Sequence, residues 1–292
     1  MRGLAEPILE AVEVEFIYPD GTRALHDLSL AVPSGRRVAV LGPNGAGKTT
    51  LFFTFNGLYR PSRGQVCFAG QKLSYSRSEL RRLRQEVGMV FQDPDTQLFA
   101  PTVWEEVAFG PRSLGLSGSE LSRRVEEALA ATGLLELRDR PTHFLSYGQK
   151  KRVAIADVLA MRPRVIISDE PTAWLDPEQA RRTMELFTAI HRSGVTVIFS
   201  THDVDLAYSW SDYVILMVGG TVLAGGPPEE IFWRDDLLTQ AGLPRPWIVD
   251  LARVLGLDPI GLPKTREEFL SYLARRTDAG NGSEPLGARG RA

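Results

Sequence analysis

Apolar positions along this chain change period several times, and each change marks an element. Between residues 8 and 32 the period is two: Val12, Val14 and Phe16 suit one buried strand face. Pro19-Asp20-Gly21 signals a turn, and Leu25 to Val32 reads as a second strand. Arg37-Val38-Ala39-Val40-Leu41 reads as a buried strand, followed by a helix from Lys48 to Asn56. Short strands around Gln65 to Phe68 and Val87 to Phe91 flank Ser76 to Gln85, whose arginines read as a solvated helix face. From 100 to 160 the spacing is helical, with Leu121, Val125, Leu129 and Ala130 followed by Leu134, Leu135 and Leu137.

Val165 to Glu170 is a buried strand ending in two acids. Asp176 then caps a helix with Pro177 at its first position and a stripe of Ala180, Met184, Phe187 and Ile190. Thr196 to Ser200 is another strand, and Val214 to Val218 with Thr221 to Ala224 form a closing hairpin around Gly219-Gly220. From about Trp233 the pattern changes to short helices near Trp247 to Leu255 and Arg266 to Arg275, the second announced by a Thr265/Glu268 capping box. Thr277 to Ala292, rich in Gly, Ser, Arg and Asp, is expected to be a disordered tail.

Length and charge narrow the class. A chain of 292 residues can hold one large α/β domain and a small appendix. With 34 Lys and Arg against 36 Asp and Glu, the net charge of −2 argues against nucleic acid as the main partner. Cys67 is the single cysteine, so no intrachain disulfide can form; its place in a strand-like run suits packing, and such usage fits a reducing cytosol. No signal peptide is visible and no run approaches the ~18 apolar residues that span a bilayer. The chain is therefore expected to be soluble by itself, with a membrane partner left open.

The chemistry begins at Gly42-Pro43-Asn44-Gly45-Ala46-Gly47-Lys48-Thr49-Thr50, which fits the phosphate-binding pattern G-x-x-x-x-G-K-[ST] between a strand and a helix. Glycines bring backbone N–H groups against anionic oxygens, and the helix N-terminus adds its dipole. Lys48 is expected to reach the β- and γ-phosphates and the Thr49 hydroxyl to ligate Mg²⁺. Asp169 and Glu170, at a strand's C-terminal edge in such a chain, suggest a Mg²⁺ ligand and a water-polarising base. Other positions admit two readings from the residues alone. Gln92 is either a group near the metal and phosphates or a capping amide, and Tyr18 either a platform for a nucleotide base or a rim aromatic. Ser146-Tyr147-Gly148-Gln149 is either a well-capped helix start or an anion site, and His202 either structural or part of the phosphate edge.

Together these segments resemble the ATPase subunit of ATP-binding-cassette (ABC) transporters, over about residues 8 to 232. GPNGAGKTT looks like Walker A, VIISDE like Walker B, LSYGQ from Leu145 like the family signature, and Trp174-Leu175-Asp176 like the D-loop. Gln92 falls at the Q-loop glutamine, His202 at the switch histidine and Tyr18 at the base-stacking aromatic. The resemblance implies an α/β fold: a P-loop NTPase core with a RecA-like mixed sheet, an antiparallel β subdomain and a helical signature subdomain at about 95–160. A small helical extension at 233–276 would serve dimer contacts or regulation. It also implies ATP and Mg²⁺ bound in a head-to-tail homodimer. Asp169, Thr49 and Gln92 would lie at Mg²⁺, Glu170 would polarise water, and His202 would contact the γ-phosphate. Ser146, Gly148, Gln149 and Asp176 would serve the nucleotide across the dimer. Two positions depart from the family: Tyr147 replaces the first glycine of LSGGQ, so its side chain is expected to point away from the phosphates. Ser168 replaces an apolar residue, so its hydroxyl is expected to find a buried hydrogen bond.

A narrower similarity is to energy-coupling-factor importers of the cobalt and nickel type, carried by FQDPDTQLFAPTVWEEVAFGP, LSYGQKKRVAIADVLAM and THDVDLAYSWSD. It implies a subunit peripheral to the cytoplasmic membrane face, with a substrate-binding membrane subunit and a transmembrane coupling subunit docking at Gln97–Glu106. Glu105 and Glu106 would meet basic residues there, or be solvated helix charges. Cobalt is the leading cargo, with nickel or a vitamin as alternatives. His26, His143, His191 and His202 are dispersed, so recognition of a metal cargo is expected in another subunit. A non-transport ABC protein acting on ribosomes or DNA is the other functional class, disfavoured by the single cassette. A metabolic phosphotransferase would leave the signature without purpose.

Overall fold

Alternation organises the computed structural model of this chain, which describes residues 6–259 and 261–280. β1 (Pro7–Ile17) and β2 (Arg23–Pro33) form the antiparallel pair, and β3 (Arg37–Leu41) enters α1 (Lys48–Phe55) through the glycine-rich loop. β4 (Arg63–Phe68), β5 (Gln71–Lys72), α2 (Arg77–Glu86) and β6 (Val87–Val90) follow. A helical unit comprises α3 (Val103–Ser113), α4 (Gly118–Ala131) and α5 (Tyr147–Ala160). β7 (Val165–Ser168), α6 (Pro177–Arg192), β8 (Thr196–Ser200) and α7 (Val204–Trp210) then alternate, before the hairpin of β9 (Tyr213–Val218) and β10 (Thr221–Gly226). Last come α8 (Pro228–Ile231), α9 (Asp235–Ala241), α10 (Trp247–Val254) and α11 (Arg266–Gly280).

The large sheet runs β10-β9-β3-β8-β7-β6, parallel throughout except for β10 against β9. A parallel sheet is covered on both faces, which is why its strands read as unbroken apolar runs. Val38 and Val40 of β3 pack with Leu51, Phe52 and Phe55 of α1 and with the antiparallel sheet β2-β1-β4-β5. Ala39 and Leu41 face the opposite core, with Phe187 of α6 and Tyr208 of α7. That core also takes Phe232, Leu238, Ile248, Val249 and Phe269 from the C-terminal helices. A third core holds the helical unit together through Val103, Val107, Leu121, Val125 and Val153. The α/β architecture expected from the sequence is thus present in all its parts.

Several local expectations change. In β1 the register slips between Ala11 and Val14, where Glu13 takes φ 49°. This bulge turns Val12 outward, so Ala11, Val14 and Phe16 fill the core in place of the simple alternating set. Ala128, not Ala130, completes the buried stripe of α4. The Ser168 hydroxyl is buried without a hydrogen-bond partner among the described residues, contrary to expectation. α11 is capped as read, with Glu268 N–H donating to Thr265 Oγ1 at 3.2 Å. It runs on to Gly280, so 277–280 are helical where a disordered tail was expected; the rest of that tail, 281–292, lies outside the described residues.

Candidate functional site

The glycine-rich loop sits at the C-terminal end of β3, in the middle of the sheet. A Cβ on Gly42 would lie 2.1 Å from the Met217 carbonyl oxygen, so the hairpin strand behind the loop leaves room for glycine alone. Lys48 folds back over the loop, its Nζ donating to the carbonyls of Gly42 (2.7 Å) and Pro43 (3.1 Å). Burial lowers the Lys48 pKa, and the charges of Glu170 and Asp169 oppose that shift. Asn44 to Thr50 line a cleft of about 1240 Å³, together with Tyr18, Gln92, Asp169, Glu170 and His202. The Tyr18 hydroxyl lies 2.9 Å from Thr50 Oγ1, and its ring meets Phe16 and Tyr59 edge-on, which holds it at the cleft rim.

Parallel pairing of β7 with β8 sets the acidic edge. The Thr49 hydroxyl donates to Asp169 Oδ2 at 2.6 Å, while the Ser200 hydroxyl donates to Asp169 Oδ1. Ser200 Oγ in turn accepts the Glu170 N–H at 2.9 Å. Glu170 has φ 44°, a costly conformation for a non-glycine residue, and its carboxylate lies 3.2 Å from His202 Nδ1. His202 is largely exposed, so its other face is open to the cleft. Thr49 and Asp169 offer adjacent hard oxygen donors, the donor chemistry that suits Mg²⁺ beside a polyphosphate.

The loop after β6 forms the next wall. The Gln92 carbonyl accepts hydrogen bonds from Tyr147 (3.2 Å) and from Lys151 Nζ (2.8 Å), which also reaches the Phe91 carbonyl at 3.0 Å. Lys151 is fully buried, and burial brings its pKa down to about 8 against the pull of Asp169, Asp93 and Glu170. At the start of α5 the Ser146–Gln149 capping box forms as read. Ser146, Gly148 and Gln149 line a separate pocket of about 190 Å³ with Arg152, Gln179 and Arg182, outside the main cleft. Asp176 also stands apart from the cleft, capping α6 through the Gln179 N–H at 2.8 Å. A Cβ on Gly148 would lie 1.4 Å from Gln179 Oε1, so glycine here allows α6 to approach the helix start.

Residues 25–173, from the second strand to just past the paired acids, match the family described as ABC transporter. The chain belongs to that family. This ABC ATPase is 48% identical to the cobalt import ATP-binding protein CbiO of Rhodobacter capsulatus, over 92% of this chain and 98% of that relative. It is 46% identical to the energy-coupling factor transporter ATP-binding protein EcfA2 of Methanospirillum hungatei, over 89% of this chain; the match spans 66% of that longer relative. Among solved structures it resembles cbiO1 from Clostridium perfringens, part of the ABC transporter complex cbiONQ, with TM-score 0.73 and 42% identity over 85% of this chain and 99% of that one.

The segment expected to face a membrane partner is only partly outward. Glu106 is 1% exposed, its carboxylate accepting the N–H groups of Phe99 (2.9 Å) and Ala100 (2.6 Å). It braces the loop and cannot meet an external basic residue. Gln97 is likewise turned in, its Oε1 accepting the Phe91 N–H at 3.0 Å. The segment presents Glu105, exposed on the first turn of α3, and Phe99, which is 65% exposed and packs edge-on at 4.8 Å against Phe109 (54% exposed) just beyond it. Ser200 and Lys151 went unnoticed in the sequence. A polar residue ending one parallel strand beside an acid ending the next was the available signal for Ser200; a lysine on an otherwise apolar helix face was the signal for Lys151.

Proposed function

We propose that this ABC ATPase is the ATP-hydrolysing motor of an energy-coupling-factor importer for cobalt ions. The observation that carries the chemistry is the meeting of Thr49–Asp169 and Glu170–His202 in one cleft with the phosphate loop. Lys48 leaves the Gly42 and Pro43 carbonyls for the β- and γ-phosphates, an exchange of one oxygen set for a more charged one. Glu170, held by Ser200 through its N–H and by His202 through its carboxylate, orients the attacking water. Thr49 and Asp169, with Gln92 on the same cleft, hold Mg²⁺, which when bound neutralises charge on the phosphoryl oxygens. Tyr18 at the rim offers its ring to the base.

The separation of the Ser146–Gly148–Gln149 pocket from the main cleft supports a head-to-tail homodimer, in which each signature helix completes its partner's site and Asp176 lies at the junction. Residues 233–276 support that contact or its regulation, with Val254, Leu255 and Leu270 exposed. The coupling subunit docks by the Gln97–Glu106 segment, onto the Phe99 and Phe109 rings. Among the described residues there is no cluster of three or more His, Cys, Asp or Glu placed to hold a metal ion, and no helix long and apolar enough to cross a membrane. The similarity to a cobalt import ATP-binding protein and to a part of the ABC transporter complex cbiONQ supports assigning cargo recognition to a substrate-binding membrane subunit, with this chain peripheral on the cytoplasmic face.

ATP-driven Co²⁺ and Ni²⁺ uptake by vesicles carrying the complex tests this reading. Co²⁺ uptake that stops in Glu170→Gln, while ATP binding persists and Lys48→Ala weakens it, is the expected result. Hydrolysis without uptake of either ion would move the cargo to a vitamin or other substrate.

A further inference from the structure

The position where the family usually has glycine is occupied by Tyr147, and its side chain bridges three segments. Its hydroxyl donates to the Gln92 carbonyl at 3.2 Å. Its ring meets Trp174 edge-on, with centroids 5.8 Å apart. Gln92 and Trp174 both line the nucleotide cleft, whereas the first turn of α5 lines the separate signature pocket. Neighbouring residues tie the same loop: Lys150 pairs with Asp95 at 2.6 Å, and Lys151 holds the Phe91 and Gln92 carbonyls. Tyr147 reaches both the loop after β6 and the segment after Glu170. Burial, with Asp93 and Asp95 nearby, pushes its phenol up to about 12, so it stays a proton donor at neutral pH.

Trp174 is otherwise weakly supported. It is 68% exposed and has φ 60°, a strained backbone for a bulky side chain. The Tyr147 edge is a contact that glycine could not supply.

We propose that Tyr147 is a positioning residue that fastens Gln92 and Trp174 to the signature helix, so that the wall of one nucleotide cleft moves with the helix serving the other. This deepens the ATPase reading and rests on it. ATP affinity in the ground state comes chiefly from the phosphate loop and Lys48, which Tyr147 does not touch. Gln92 is needed in register when the γ-phosphate reacts, so loosening it weakens turnover more than binding.

The test compares wild type, Tyr147→Phe and Tyr147→Gly in the full transporter complex, measuring ATP Kd, KM and kcat. Phenylalanine keeps the ring and removes the hydroxyl, so folding is not at issue. The expected result is a kcat about fivefold lower in Tyr147→Phe, the factor carried by one net neutral hydrogen bond, with Kd and KM within about twofold of wild type on the same reasoning. Tyr147→Gly, which also loses the Trp174 contact, should fall further with the same pattern. An unchanged kcat in both variants would overturn the proposal, and so would losses of kcat and ATP affinity in parallel. Absence of wild-type hydrolysis would instead defeat the ATPase reading itself.

Discussion

Replacing Ser200 with alanine removes one oxygen from the acidic edge and adds no bulk. That oxygen has no solvent exposure; it accepts the Glu170 N–H at 2.9 Å and donates its own proton to Asp169 Oδ1. Alanine leaves both groups unpaired in a site without compensating bulk water. A neutral hydrogen bond contributes about 1 kcal/mol net and one to a charged group about 1.5–3 kcal/mol. The variant should therefore lose about 2.5–4 kcal/mol of unfolding free energy. Asp169 retains its second anchor, the Thr49 hydroxyl at 2.6 Å, and so stays near the phosphate loop. Glu170 fares worse, because the tethered N–H helps hold its backbone at φ 44°. Released from that conformation, the carboxylate shifts, and a misplacement of about 1 Å in an orienting group costs about 10²-fold in rate. The assays are urea unfolding and steady-state ATPase activity at saturating nucleotide. A stability loss below about 0.5 kcal/mol, within the scatter of ordinary surface substitutions, with an unchanged kcat would refute the bridging role.

Two further outcomes follow from packing and charge. Gly148→Ala forces the Gln179 amide away from Asp176, to which it now donates at 2.6 Å, and should cost about 1 kcal/mol by urea unfolding; in a Gln179→Ala background, where that bond is already gone, the same glycine substitution should cost little, and an equal cost there would point to another clash. The Asp157 carboxyl is pushed up to about 7 by withdrawal from water and by Glu106, against the Gln97 hydrogen bond. The folded state then keeps a proton that the unfolded chain has released, so stability falls as pH rises from about 4 to about 7 and levels off above. Asp157→Asn should flatten that fall, by up to on the order of 4 kcal/mol at pH 8; parallel pH profiles for the two proteins would exclude it.

The phosphate loop was readable because its whole chemistry is contiguous and its flanking strand and helix are strongly patterned. The paired acids and His202 were readable as ends of apolar runs. Ser200 was not, since its partnership with Asp169 depends on which strand lies beside β7 and in what register, with Ser168 opposite Phe199. Glu106 misled because a charge in the first turn of a helix usually faces water; here the unpaired N–H groups of Phe99 and Ala100 draw it inward. The bulge at Glu13 was hidden because an inserted residue reverses the pleat without changing composition. α8 and α9, of four and seven residues, are too short to establish a period.

The C-terminal helices show why a boundary in sequence pattern is not a boundary in energy. Phe232, Leu238, Ile248 and Phe269 belong to the same core as Ala39 of β3 and Phe187 of α6. The Trp247 N–H binds Asp205, and Lys264 Nζ binds the Ser211 carbonyl, both 2.9–3.0 Å contacts onto or just beyond α7. This segment is therefore not a module to be traded between relatives: grafting another tail would require its apolar side chains and the helix beneath them to be exchanged as one block.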